Sequence, residues 1–324
     1  MSFNKNIVFF FKIVFFVAIL YIIYTQVFSH HNIYDLLLLL KTTKNKGIWI
    51  LFAVFILQFI NWGIETEKFR KILAPKTVLD FKSAFISVYV GNATSIFTPD
   101  RLGNFIGRFL VLPKLSKLEV TTATMLGNFT QLIATVSFSF LAIVLFVWFP
   151  SNIVFLAPYL LLFVAFVLLV ILLLIYFNTS FALTLLSKIK WVKNQQKTIL
   201  FIGNFSKKEL IQILGFAYAR YLIFIIQFYL VLLVFGVNLS LLNLFVFIGI
   251  LYFITTFVPS PMFGNLGTRE LTALYLLSNY EQPTAVLLAS LFIWLINVIF
   301  PSVLGTVFWM RFYDVNWYNK KEKR

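Results

Sequence analysis

Long apolar runs separated by short polar connectors cover most of the chain. Six of them are long enough to be read as membrane-crossing helices, which need roughly 20 apolar residues each. They lie at about Ile7–Phe28, Ile48–Phe69, Val120–Phe149, Ile153–Phe177, Leu210–Phe235 and Thr284–Phe308. Between the first two, "YDLLLLLKTTKNK" is too short and too polar-edged to span, and reads as an interfacial helix. The pair Gly127-Asn128 marks a candidate break in the third run.

Two regions keep the apolar character but lose the length. "FKSAFISVYVGNATSIF" (81–97) halts at Thr98-Pro99, and a short piece, Phe105–Leu112, follows before Pro113. "LFVFIGILYFITTFV" (244–258) stops at Pro259, and Leu266–Leu277 follows. These regions, 81–112 and 244–278, are read as re-entrant hairpins that enter and leave on the same side. The alternative is that Gly and Pro merely kink two ordinary spans.

Composition agrees with the pattern. The chain of 324 residues is 61% hydrophobic and 12% charged, with 41 phenylalanines and a mean hydropathy of +0.93. Soluble domains are about a quarter charged, so the surrounding solvent is lipid. The fold class expected is an all-α polytopic membrane protein, residues 1–324 forming one membrane domain. The N-terminal run has no small-residue cleavage site and reads as a retained helix, not a signal peptide. The absence of cysteine excludes disulfides and thiolate chemistry.

Charge sets the orientation. If the N-terminus is cytoplasmic, the cytoplasmic segments collect 19 of the 27 Lys and Arg, many of them in the 178–208 loop and the 312–324 tail. That bias predicts both termini inside, in a cell membrane of the bacterial inner-membrane type. The first hairpin then opens to the cytoplasm and the second outward, as an inverted repeat requires. The net charge of +16 is a topology signal with some attraction to membrane lipids; no nucleic-acid motif accompanies it.

The two breaks share a grain. The first reads Pro99-Asp-Arg-Leu-Gly103-Asn104, with Gly107 and Arg108 beyond; the second reads Pro261-Met-Phe-Gly264-Asn265-Leu-Gly267-Thr-Arg269-Glu270. Gly-Asn precedes an arginine at the same distance in both. Unwound backbone in a bilayer leaves polar groups that protein or cavity water must satisfy. A helix resuming after a break presents free N–H groups and a positive dipole end. An arginine fork beside them makes an anion site that suits phosphate. Arg101, Arg108, Arg220 and Arg269 all lie in membrane-like segments, where an arginine is a functional candidate. They could instead sit at interfaces or pair with Asp100 and Glu270 to fix the hairpins. Arg220 is expected to face the interior, with Gln227 on the same face and Gln131 as a partner.

"FGNLGTREL", with a proline upstream, resembles the Pro…Gly-Gly-Leu-Gly-x-Arg-Glu motif of the lysylphosphatidylglycerol synthase transmembrane family. "PDRLGN" is similar to that family's Pro-Gly-Arg-x-Gly-Glu, and "ARYLIFIIQ" resembles a stretch between the two. Asp100 replaces a small residue, Asn104 stands where glutamate is usual, and Asn265 replaces one glycine of the late pair. The resemblance implies a flippase-like domain that binds an anionic phospholipid or lipid-linked headgroup and assists its movement. The soluble aminoacyl-transferase domain of the synthases is not expected, nor is lysyl transfer from tRNA.

The candidate binding residues are therefore Arg101, Gly103, Asn104, Arg108, Arg220, Gly264, Asn265, Gly267, Arg269 and Glu270. No catalytic residue, metal site or cofactor is expected. The only histidines, His30 and His31, lie in a connector away from both breaks, and the four aspartates form no paired motif. Other readings are a non-catalytic membrane subunit of an envelope glycolipid or glycosyltransferase system, or a small-solute transporter. A homo-oligomer or an envelope-synthesis complex remains open as the assembly.

Overall fold

The computed structural model describes residues 45–96, 98, 102–149, 153–154, 156–178, 203–258, 268–280 and 283–321. The expected helix at Ile7–Phe28, the interfacial piece after it and most of the basic 178–208 loop lie outside the described residues. Among the described residues, every regular element is helical. Five spans are long and apolar enough to cross a membrane. They fall in α1 (Asn45–Leu73), α4 (Lys117–Trp148), α5 (Pro158–Phe177), α6 (Lys207–Val234) and a final pair, α9 (Pro283–Trp294) and α10 (Phe300–Lys321). α9 and α10 join through a π-helical turn, Leu295–Ile299.

The sequence sets these starts locally. Ser116 with Glu119, and Ser206 with Glu209, form reciprocal capping boxes at α4 and α6. Asp80 caps α2 (Phe81–Ser95) by accepting from the Ser83 amide at 2.9 Å. That amide also holds the Asp80 carboxyl below its usual range, so the cap survives into acidic pH and is lost only as the carboxyl protonates. Pro158 opens α5, where a missing N–H costs nothing. The Gly127-Asn128 pair does not break α4, which runs unbroken from Lys117 to Trp148. A Cβ at Gly127 would make only ordinary contact there, 3.6 Å from Lys68 Cε.

The first interrupted region is a pair of helices too short to cross. α2 has 15 residues and α3 (Gly103–Leu110) has 8, about 22 and 12 Å of rise against a core of roughly 30 Å. They run antiparallel at backbone contact. The Ser87 hydroxyl donates to the Arg108 carbonyl at 3.1 Å, and the Thr94 hydroxyl donates to the Gly103 carbonyl at 2.6 Å. A Cβ on Gly103 would lie 2.0 Å from the Thr94 carbonyl oxygen, and one on Gly107 would lie 2.2 Å from Thr94 Oγ1. Glycine is present here because two backbones touch.

The second region repeats the plan. α7 (Leu241–Phe257, 17 residues) and α8 (Thr268–Leu276, 9 residues) flank the break. Asn243 at the entry donates to the Tyr280 hydroxyl at the exit, 3.2 Å away, so the segment returns to the level where it began. The two mouths face opposite ways. Near the first, Lys76 pairs with Glu119 at 3.5 Å and Phe85 meets Phe308. Near the second, the Val154 amide donates to the Leu276 carbonyl and Phe235 meets Phe292.

Helix, hairpin, helix thus occurs twice with inverted sense: α1, α2–α3, α4, then α6, α7–α8, α9–α10. Each hairpin's long arm packs on the closing helix of the other repeat. Ser139 of α4 donates to the Gly249 carbonyl of α7 at 2.8 Å, and Asn92 of α2 donates to Ser302 of α10 at 2.9 Å. Gly249 faces Ala142, and Gly305 faces the Tyr89 carbonyl. α5 stands at the periphery, with Tyr159, Leu160, Phe163, Phe166 and Leu174 exposed as a lipid-facing wall.

Two outcomes follow from this architecture. Single cysteines introduced at positions 114 and 279 should be labelled by an impermeant thiol reagent from opposite sides of the membrane. Labelling of both from one side would contradict the inverted arrangement. Gly103→Ala should destabilise the protein by about 1–3 kcal/mol, the usual cost of overpacking, read as a lowered unfolding midpoint in detergent.

Candidate functional site: one carboxylate among three cations

Gln58, Asn61, Glu65 and Lys68 recur at helical spacing on α1, so they share one face. All four are buried against the rest of the bundle. Glu65 is the centre. Its Oε1 accepts from Arg108 Nη2 of α3 at 2.8 Å. Its Oε2 accepts from Lys68 Nζ at 2.7 Å and from Arg220 Nη1 of α6.

Each cation is then fixed a second time. Arg108 Nε donates to Asn104 Oδ1 at 2.9 Å, and its guanidinium lies 4.6 Å from the Phe69 ring centroid. Arg220 Nε donates to Asn61 Oδ1 at 2.7 Å, and Nη1 reaches Gln131 of α4 at 3.4 Å. Lys68 Nζ donates to the Gly127 carbonyl at 3.0 Å. Trp62 and Phe224 lie within about 6 Å of the Arg220 guanidinium, the range of a cation–π contact.

Exposure is 1% for Lys68, 2% for Arg108, 3% for Glu65 and 8% for Arg220. Three positive charges therefore share one negative charge inside membrane-crossing segments. Among the described residues no second carboxylate joins them, which leaves an excess of two positive charges. Asn61 Nδ2, beside Arg220, is a buried donor with no partner among the described residues. On the same side of the bundle, Lys71, Gln212, Gly215 and Phe216 line a cavity of about 560 Å³ between α1 and α6. Phe216 is one helical turn from Arg220.

A second charged centre lies at the start of α8. Arg269 Nη2 donates to Glu270 Oε1 at 2.5 Å, Arg269 Nε donates to Ser290 Oγ of α9 at 3.0 Å, and Ser290 Oγ donates to Glu270 Oε1 at 3.2 Å. All three are buried. Among the described residues, one cation meets one carboxylate here.

The structure brings Asn104, Arg108 and Arg220 together at the first centre and Arg269 with Glu270 at the second. Gly103 serves the α2–α3 contact and does not reach the Glu65 group. Arg101, Gly264, Asn265 and Gly267 lie outside the described residues. Arg220 faces the interior as expected, with Gln227 fully buried two turns on. Glu65, Lys68 and Asn61 are additions. Lys68 lies at the end of the apolar run Ile48–Phe69, where a charge ordinarily marks the water interface, whereas it is buried within the helix.

Removing the carboxylate should be severe. Glu65→Ala leaves three cations without their counter-ion and should cost about 3–5 kcal/mol, the range for breaking a buried ion pair from one side. Glu67→Ala, which breaks a partly exposed pair with Arg70, should cost under about 1 kcal/mol. Thermal unfolding of the two purified variants in one detergent checks the contrast.

A search of curated proteins finds no match to this chain. A family model does match, over residues 9–305, which is nearly its whole length. The chain belongs to the family described as the lysylphosphatidylglycerol synthase TM region.

Proposed function

We propose that this membrane protein binds an anionic lipid headgroup at the Glu65 centre and assists its passage across the bilayer, with both termini cytoplasmic. The observation that carries the reading is the charge excess of Arg108, Arg220 and Lys68 over Glu65. A buried unbalanced charge is costly in a membrane, and a phosphate is the ligand that would relieve it. The two guanidinium forks suit phosphate oxygens, which accept paired N–H bonds. Asn61 Nδ2 offers a further donor at the same place.

Glu65 fits this reading as a resident substitute for the ligand. Its carboxylate occupies the donors that a phosphate would use, and so holds the cations in place between binding events. An open groove lined by Lys71, Gln212, Gly215 and Phe216 lies between α1 and α6, one helical turn from Arg220, and is where a headgroup would first meet the bundle. The acyl chains remain in lipid, along apolar helix faces such as that of α5. The chemistry is binding without bond-making, and no cofactor or metal enters it.

The test is lipid transfer in phosphatidylcholine vesicles carrying a fluorescent phosphatidylglycerol reporter, read by dithionite quenching. The wild type should speed reporter exchange between leaflets. Arg220→Lys keeps the charge but loses the planar fork, and should slow transfer severalfold. Arg108→Ala and Arg220→Ala should slow it at least tenfold. If the wild type moves no reporter, or if all three variants match it, the translocation reading fails and a scaffolding role in an envelope-assembly complex replaces it.

A further inference from the structure

Four buried amides stand between the two charged centres, and each keeps a side-chain atom without a hydrogen-bond partner among the described residues. The atoms are Asn61 Nδ2, Gln58 Oε1, Gln227 Oε1 and both polar atoms of Asn297. Unpaired buried polar groups are rare and costly, and each calls for an explanation. Here they fall on α1, α6 and the π turn between α9 and α10; α1 touches both of the others, and α6 packs on α9.

Their heights follow from helix rise, about 1.5 Å per residue. Glu65 and Arg220 are level because they touch. α1 and α6 run antiparallel, so Gln58 and Gln227, each seven residues away, both stand about 10 Å further out. The Gln227 amide donates to the Val54 carbonyl at 3.0 Å, eleven residues from Glu65, so its side chain reaches roughly 15 Å out. α1 and α9–α10 run parallel, and Phe300 packs on both Phe55 and Phe59. Asn297 therefore stands near the level of Val54, and Ser290 of the second centre roughly 10 Å beyond it. From Glu65 to Ser290 the row extends roughly 25 Å along the bundle, close to the hydrocarbon thickness.

A π turn leaves its helix locally widened and occurs often at functional sites. Asn297 is inside that turn, with donor and acceptor both unused. Asn61, Gln58 and Gln227 each use their other atom, but Asn297 uses neither, and an apolar residue there would pack without that cost. We propose that Asn61, Gln58, Gln227 and Asn297 form an uncharged polar lane, closed in this conformation, along which the headgroup passes between the Glu65 centre and the Arg269–Glu270–Ser290 centre. This rests on the translocation reading above and adds the route. Amides suit a lane better than charges do, since they exchange hydrogen bonds with a passing phosphate or its water without trapping it.

Two measurements test the lane in the full chain, which has no cysteine of its own. First, single cysteines at 58, 227 and 297, placed in vesicles, should react with a water-soluble methanethiosulfonate reagent, while one at Phe247, fully buried in the apolar core, should not. Second, Asn297→Leu should cut reporter transfer at least tenfold while leaving the unfolding midpoint unchanged or raised, because an unpaired amide has been removed. A purely structural Asn297 would give a lowered midpoint. Unreactive cysteines, or an Asn297→Leu protein that transfers like the wild type, overturn the lane while translocation by the wild type stands. A wild type that moves no reporter overturns the translocation reading and the headgroup lane together.

Discussion

One carboxylate holds the two halves of this protein together. Glu65 belongs to α1 of the first repeat, and its partners come from α3 of the same repeat and α6 of the other. Through Lys68 and the Gly127 carbonyl, and through Arg220 and Gln131, α4 joins the same group. In lipid, apolar packing alone gives helices little preference for one another, because the tails are as apolar as leucine. A buried ion network supplies that preference. It also sets the register of α1 against α6, since a one-turn slip would part Arg220 from Glu65 and leave a buried guanidinium without its counter-ion.

The hairpins depend on a second constraint, close backbone approach. Thr94 and Ser87 bond to carbonyls of α3 because Gly103 and Gly107 allow the helices within reach. The same device recurs between repeats, where Gly249 meets Ala142 and Gly305 meets the Tyr89 backbone, each with a side-chain hydrogen bond across the contact or beside it. Small residues with polar neighbours are the usual means of joining helices in membranes. Here they join each hairpin to the opposite repeat, so the repeats could not separate without exposing unsatisfied backbone and hydroxyl groups to lipid.

Much of this was legible in the chain. The five described spans fall where apolar runs of sufficient length occur, and the two interrupted regions are short helix pairs with opposite openings. Arg220 could be placed inside because a lipid-facing guanidinium at mid-span is too costly. Glu65 and Lys68 were not legible by the same reasoning, since charges near the end of a span normally mark the water interface. The signal that could have found them is the spacing of Gln58, Asn61, Glu65 and Lys68, a polar stripe on one face of an otherwise apolar helix. Gly127 misled for a related reason. Glycine in a span suggests a break, but here the helix runs on and the Gly127 carbonyl accepts from a lysine of another helix, a fact of tertiary packing that no local pattern records. Asn104 belongs with these. It stands where the resembled motif has an acid, and the nearest carboxylate to Arg108 comes instead from α1, which no reading of the α2–α3 region alone could supply.

The two charged centres serve as controls for one another. A buried arginine at a hairpin can be fixed in place by one carboxylate and one hydroxyl, and among the described residues Arg269 meets Glu270 and Ser290. Arg108 at the corresponding position has its carboxylate too, but shares it with Arg220 and Lys68. Structural economy does not account for the two additional cations, because each adds a desolvation cost that half a carboxylate cannot offset. Nor does a structural role account for Asn297, whose two polar atoms have no partner among the described residues, since leucine would fill the same space at lower cost. Function is where proteins tolerate such local conflicts. On the proposed route for an anion, the excess charge at the Glu65 centre, the Arg269–Glu270 pair and the partly bonded amides between them become parts of one path.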